Sequence, residues 1–471
     1  MEHKNYWYGL LTDTLVDLSR EEVGMKLAPG LALSWKALEN DPKTWEFKLR
    51  QGVKFHNGED FDADTVVFNM ERNQKPELKL NLMIYLKEVT AKAVDKYTVR
   101  LTWPEPYPLA PARLQQLAIV PRKYIQEKGD EIMNTAPIGT GPYKFVKWAK
   151  DEYVEMAWAG SHWRLKTPPA KTIIQTVVPD ISARVAVLKT EAADIIWGVP
   201  EDQVAELTKD PIVGIYNATG VSVPTFGISQ MKEGPLRDKR VRLALNLAID
   251  REKIVNTLFG GTYKVAAETV IPVAFGYDPT LKPYPYDHNK AKALLAEAGY
   301  PNGFETVIDM GKVSDSRYKE STQAIAEYLR QIGVKTTIRP QEAHPSWGDW
   351  GRDQRAANKG PEGIYLMGYC DCTLDASDTL VYYSKWDPKA GSGGLSYIED
   401  DKLFKMIDES NVTTNVEKRE KLLQQIMNYI HEQAYGIPLW HISHLWGYNK
   451  KKIKTLHCRS SNGFTWDLEV A

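Results

Sequence analysis

The chain has 471 residues, which at roughly 100–200 residues per domain is room for about three domains, or two with an insertion. Its 60 Lys+Arg against 61 Asp+Glu leave a formal net charge of −1, so it carries no global electrostatic footprint for nucleic acid or for an anionic membrane. With 26% charged and 43% hydrophobic residues, wholesale disorder is excluded, and 14 Trp and 24 Tyr supply aromatic surface for a core or a ligand cleft.

Taken in order, the chain begins Met1-Glu2-His3-Lys4-Asn5, with no apolar h-region after it. No run reaches the ~18 apolar residues of a membrane span. The expectation is a soluble protein, and a mature form whose leader was replaced by a start Met stays open. Residues 44–50 alternate apolar and polar as a half-buried strand does. Val53-Lys54-Phe55 is followed by the turn signal His56-Asn57-Gly58, and Asp62 or Asp64 is placed to cap a helix through Val66, Val67 and Met70. Residues 97–101 alternate again, so 30–155 reads as a small α+β unit. Gly139-Thr140-Gly141-Pro142-Tyr143 is glycine-rich, but Pro142 removes a donor where a phosphate cradle needs one; a tight turn feeding the strand Tyr143-Lys144-Phe145 is expected.

Further on, 241–249 is apolar around most of its circumference, as in a largely buried helix. Ala291, Leu294, Leu295 and Ala298 share a helical face that stops at Gly299. Ile325, Tyr328, Leu329 and Ile332 do the same before Gly333, and a strand follows at 334–338. Helix, glycine, strand is the alternation of a parallel-sheet lobe. Val416, Leu423, Ile426, Met427 and Ile430 mark a late amphipathic helix, with strand-like 436–440 behind it. The chain thus leaves one α/β region near 227 and returns near 440, the topology of a hinged clamp.

Catalytic signatures are missing: there is no G-x-S-x-G elbow, no P-loop and no H-E-x-x-H. His441 and His444, three apart in extended chain, point to opposite sides and do not ligate one ion together. The run 368–378 is denser, with Cys370, Cys372, Asp371, Asp375 and Asp378. A soft-metal site is one reading; a strand end followed by a polar loop, where α/β lobes meet ligands, is the other. Three cysteines exclude a disulfide scaffold; a Cys370–Cys372 bridge would be strained, and a bridge from either to Cys458 stays open. Trp347 and Trp350 sit in a polar, Gly-containing stretch and serve either as cleft lining or as packing.

Four ordered stretches carry a resemblance: 49–66, around Phe55-His56-Asn57-Gly58; 136–143, around Gly139-Thr140-Gly141-Pro142; 238–251, from Asp238 to Arg251; and 286–300, from Tyr286 to Tyr300. Together they resemble the family 5 extracellular solute-binding proteins, the peptide-, dipeptide- and nickel-type receptors of ABC importers. The resemblance implies an α/β, type II periplasmic-binding-protein fold of two lobes joined by two crossing segments, with an extra α+β domain inserted in the N-terminal lobe. The expected division is lobe I at 1–29, 156–226 and 445–471, the inserted domain at 30–155, and lobe II at 227–444.

The same resemblance implies site residues. Peptide-binding members have an aromatic at Tyr369 and, three residues later, an aspartate for the peptide amine; here that position is Cys372, and Asp371 falls one residue early. Asp375 matches a common acidic position of the loop, or organises the turn. Lys312 aligns with an arginine that grips the ligand carboxylate in dipeptide-type members, and Leu366 with the oligopeptide-type arginine. Trp350, with Trp347 nearby, falls close to a cleft aromatic. Tyr6, Trp7 and Tyr8 lie where the N-terminal lobe approaches the cleft, and Arg113 resembles an arginine that nickel-chelate binders take from the inserted domain. The implied function is capture of a small polar organic solute, peptide-like or opine-like, and delivery to a membrane permease, by a monomer outside the cytoplasm with no cofactor, metal or nucleic acid. An oligosaccharide or nickel-chelate receptor is the alternative within the family, and a chemoreceptor-coupled or chaperone role would use the same fold. A metal-dependent hydrolase built on Cys370, Asp371 and Cys372 is the rival outside it.

Overall fold

The structure, a computed structural model, describes residues 8–19, 26–80, 82–165, 168, 170–311, 316–341, 352–354, 356–357, 359–370, 373–387, 393–460 and 463–470. It divides into two compact units. Unit 1 is Met1–Ala218 with His444–Ala471 and the short Val412–Thr414; unit 2 is Thr219–Asn411 with Asn415–Ser443.

Unit 1 opens with α1 (Tyr8–Leu11) and then builds a four-stranded antiparallel sheet from β1 (Ala32–Leu38), β2 (Asp41–Leu49), β3 (Thr90–Asp95) and β4 (Thr98–Thr102), in the order β1-β2-β4-β3. The alternation of β2 buries Trp45, Phe47 and Leu49, and the register sets Phe47 opposite Val99 and Trp45 opposite Leu101, so the inward rows meet. Val66 and Met70 of α2 (Ala63–Asn73) join the same core. Asp62 is the cap: its carboxylate accepts from the Thr65 N–H at 2.9 Å, while Asp64 lies inside the first turn. Gly58 closes the preceding turn at φ +88°, a conformation that favours glycine. A second antiparallel sheet, β5 (Tyr143–Ala149), β6 (Tyr153–Trp158) and β7 (Thr172–Thr176), packs Tyr143, Val154 and Met156 against Leu10 and Leu11 of α1. Residue 155, drawn from sequence as the end of the inserted domain, falls within β6. A short helix, α3 (Ala110–Leu114), lies between the two sheets in sequence, and strand Ser443–Asn449 pairs between Ile195–Trp197 and Val213–Thr219.

Unit 2 is built on a five-stranded mixed sheet: β8 (Ser222–Ile228), β9 (Glu305–Gly311), β10 (Lys335–Gln341), β11 (Ile364–Cys370) and β12 (Gly436–Pro438), in the order β10-β9-β11-β8-β12. Because β8 pairs along its length with β11 and with β12, residues 222–226 belong to this unit, and the change of unit falls at 218/219 rather than at 226/227. Helices α4 (Lys239–Leu247), α5 (Arg251–Leu258), α6 (His288–Glu297) and α7 (Ser316–Gln331) contribute to one core with the sheet; α8 (Asp401–Val412) and α9 (Val416–Glu432) follow. Asp238, Asp250 and Asp287 cap α4, α5 and α6. α6 and α7 stop before Gly299 and Gly333, both at positive φ.

The buried polar side chains of 238–251 are architectural. Arg242 donates to the carbonyls of Leu236, Arg237 and Gln433, Asn246 to that of Gly436, and Arg251 to those of Asn246 and Pro438. These buried side chains supply β12 with donors that a sixth strand would otherwise give. Burial depresses the Arg251 guanidinium to about 10, and its bonds to carbonyls satisfy it without a carboxylate.

Candidate functional site

β9 runs parallel to both β10 and β11: Ile308 pairs with Ile338 on one side and Ile364 on the other. All three strands therefore end at one edge of the sheet. Lys312 follows directly on β9, Trp347 and Trp350 come in the stretch after β10, Tyr369 is the penultimate residue of β11, and Asp371 and Cys372 follow it. Six of the sequence-derived candidates thus belong to the chain leaving the carboxyl end of three neighbouring parallel strands, where open α/β sheets hold ligands. Lys312, Trp347, Trp350, Asp371 and Cys372 lie outside the described residues, as do Tyr6 and Trp7; Tyr369 and Tyr8 are described in their backbone, with Tyr8 opening α1. Inside the sheet, Asp309 of β9 is fully buried and meets Arg339 of β10 through two bonds of 2.9 Å, which locks these strands together.

Asp375 has a different place. Its two carboxylate oxygens accept from Arg419 Nη1 at 2.7 Å and Nη2 at 2.8 Å, with both side chains almost wholly buried. Its Oδ1 also accepts from the Ser377 N–H at 3.0 Å. An occupied carboxylate of this kind organises the loop, the second of the two roles expected for it. Arg419 itself was missed. Its signal is in the sequence: it sits on the buried stripe of α9 with Leu422, Leu423 and Ile426, and an arginine on such a stripe calls for a buried acceptor.

In unit 1, Asp13 ties two distant segments to its own. Oδ2 accepts from Thr140 Oγ1 at 2.9 Å, Trp163 Nε1 at 3.0 Å and His162 Nε2 at 3.2 Å. The Arg164 N–H donates to His162 Nδ1. Burial works against the Asp13 charge, but these donors, with Arg164 nearby, hold its carboxyl below the usual range. Arg50 stacks over the Trp163 ring at 4.0 Å. Beside this node, His56 donates to the Gly141 carbonyl at 2.8 Å and accepts from the Gly139 N–H. The glycines of 139–141 are set by close approach: a Cβ on Gly139 would stand 2.1 Å from the Leu11 carbonyl oxygen, and on Gly141 2.5 Å from that of Leu10. Tight packing on α1, rather than turn conformation, is what demands glycine there. Arg113 on α3 is 5% exposed, with its guanidinium 3.7 Å from the centroid of the half-exposed Tyr85 ring.

Among the described residues no three His, Cys, Asp or Glu side chains group as a metal would require. His441 is buried on a two-residue strand beside Lys264, and burial lowers it to about 4; burial also lowers His444. Among the described residues no helix is long and apolar enough to cross a membrane.

This architecture is that of the type II periplasmic binding proteins. The solved structure of HbpA2 from Haemophilus parasuis superposes with a TM-score of 0.85 at 25% identity, over 98% of this chain and 94% of that one. The profile of the bacterial extracellular solute-binding proteins, family 5 (middle), matches residues 26–392, and the chain belongs to that family. Heme-binding protein A of Haemophilus influenzae is 28% identical over 442 residues, 88% of this chain and 79% of that protein. Glutathione-binding protein GsiB of Pectobacterium atrosepticum is 30% identical over 370 residues, 78% of this chain and 67% of that protein. The chain is accordingly a substrate-binding component of an ABC importer and not an enzyme.

Proposed function

We propose that this chain captures a small, peptide-like solute bearing a carboxylate, of the glutathione class, and that it works as a monomer. What supports the reading is chain order: Lys312 follows β9, Trp347 and Trp350 come after β10, and Tyr369, Asp371 and Cys372 come at and after the end of β11, three strands that run parallel. Lys312 supplies a cation for a carboxylate, as a point charge rather than a fork. Tyr369 and the tryptophans supply flat apolar walls, and Asp371 a partner for an amine. Tyr6, Trp7, Tyr8 and Arg113 are further candidate contacts. Asp375 is left out, because Arg419 occupies it. The glutathione-binding relative supports this class of solute.

A haem reading is favoured by the heme-binding relative, since a porphyrin also joins a flat apolar face to carboxylates. The two separate in one experiment. Refolded protein is titrated with glutathione by calorimetry and with hemin by absorbance. Saturable one-to-one binding of glutathione, weakened by Lys312→Ala and Tyr369→Ala, is expected. Binding of hemin alone replaces the solute class. A flat response to both sends the search to opines, oligosaccharides and nickel complexes.

A further inference from the structure

We propose that Arg419 and Asp375 form a positioning pair: they fix the loop leaving the carboxyl end of β11, and so set solute affinity without touching solute. This rests on the reading of that edge as the solute site.

The loop is held from several sides. Arg419 comes from α9 and spans Asp375 with two bonds, then adds Ser377 Oγ at 2.6 Å and the Ser410 carbonyl of α8 at 3.2 Å. Asp375 forms a parallel bridge with Phe275: the Phe275 N–H donates to the Leu374 carbonyl at 2.8 Å, and the Ala376 N–H to the Phe275 carbonyl at 3.0 Å. Asp378 Oδ2 accepts from the N–H and Oγ1 of Thr373, at 2.6 and 2.7 Å. Within this frame Leu374 holds φ +58°, a conformation a leucine adopts only when its surroundings impose it.

A hydrophobic pair would fill the same space with similar stability, because a buried ion pair spends most of its attraction on desolvation. What the fork adds is direction: a guanidinium bound at both carboxylate oxygens, a hydroxyl and a carbonyl permits one arrangement of the loop. Thr373, the first held residue, stands immediately after Asp371 and Cys372 and four residues after Tyr369. The pair thus anchors the far end of the segment that carries three of the proposed solute contacts.

The test uses the full chain with Arg419→Lys, which keeps charge but loses the fork, and the double variant Asp375→Asn/Arg419→Gln, which leaves no lone buried charge. Amide exchange is read by peptide mass spectrometry over 369–379 and over β9 and β10, beside the melting temperature and the Kd for glutathione. The expected result is exchange at 373–378 faster by about tenfold, β9 and β10 unchanged, and Kd raised by about tenfold. Unchanged exchange at 373–378, or faster exchange spread evenly over the unit, overturns the proposal. So does a loosened loop with the wild-type Kd. If the wild-type chain binds no glutathione, the solute reading falls by itself, and the exchange pattern still decides whether the pair fixes the loop.

Discussion

Each unit buries a carboxylate, and the two are satisfied in opposite ways. Asp13 in unit 1 is shared among a hydroxyl, an indole and an imidazole, drawn from segments that lie 127 to 150 residues away in sequence. Asp375 in unit 2 is matched by one guanidinium. The first arrangement pins distant segments together through several modest bonds, and each donor is separately dispensable. The second concentrates the balance in a single partner, whose loss leaves a bare buried charge. The contrast predicts a graded response to mutation in unit 1 and an abrupt one in unit 2.

The largest effect is therefore expected from Arg419→Met, which strands Asp375 and should cost about 3–5 kcal/mol in urea unfolding. Removing both charges together should recover most of that loss; a double variant as unstable as Arg419→Met would break the argument. Next comes acid. His441 is neutral in the folded state down to about pH 4, while an unfolded imidazole protonates near 6.5. Between those values the unfolded state binds more protons, so stability should fall by about 3 kcal/mol as pH drops across the window. His441→Gln should flatten that slope, and an unchanged slope would remove His441 from the account. Asp13 acts lower: with its folded value depressed, its contribution is full above the ordinary carboxylate range and is lost only as pH falls through the depressed value. Gly139→Ala forces a methyl onto the Leu11 carbonyl and should cost roughly 1–3 kcal/mol, a loss that a neutral melting shift would contradict. Thr140→Ala, which takes one of three donors from Asp13, should cost only about 1 kcal/mol. A loss as large as that of Arg419→Met would erase the distinction between the units.

Much of the fold is legible in the residues. The alternation of 44–50, the cap before α2 and the glycines after α6 and α7 are local signals, and the elements follow them. The change of unit at 218/219 was not legible, because the pairing of β8 with β11 and β12 is decided by strands far away in sequence. The glycine-rich 139–141 could be read as a turn but not as a packing surface, since the backbone it meets belongs to α1. The parallel pairing of β9 with β10 and β11, which brings the carboxyl ends of the three strands to one edge, is likewise decided between segments far apart in the chain. The role of Asp375 needed Arg419, which lies 44 residues away on a helix whose stripe had been read for its apolar members alone.

The most direct test of the account is native mass spectrometry of denatured and refolded protein incubated with glutathione. The account predicts one intact glutathione per chain, released unchanged on denaturation and lost in Lys312→Ala. A chain that stays bare with glutathione and takes up one hemin, or that returns a chemically altered peptide, would contradict it.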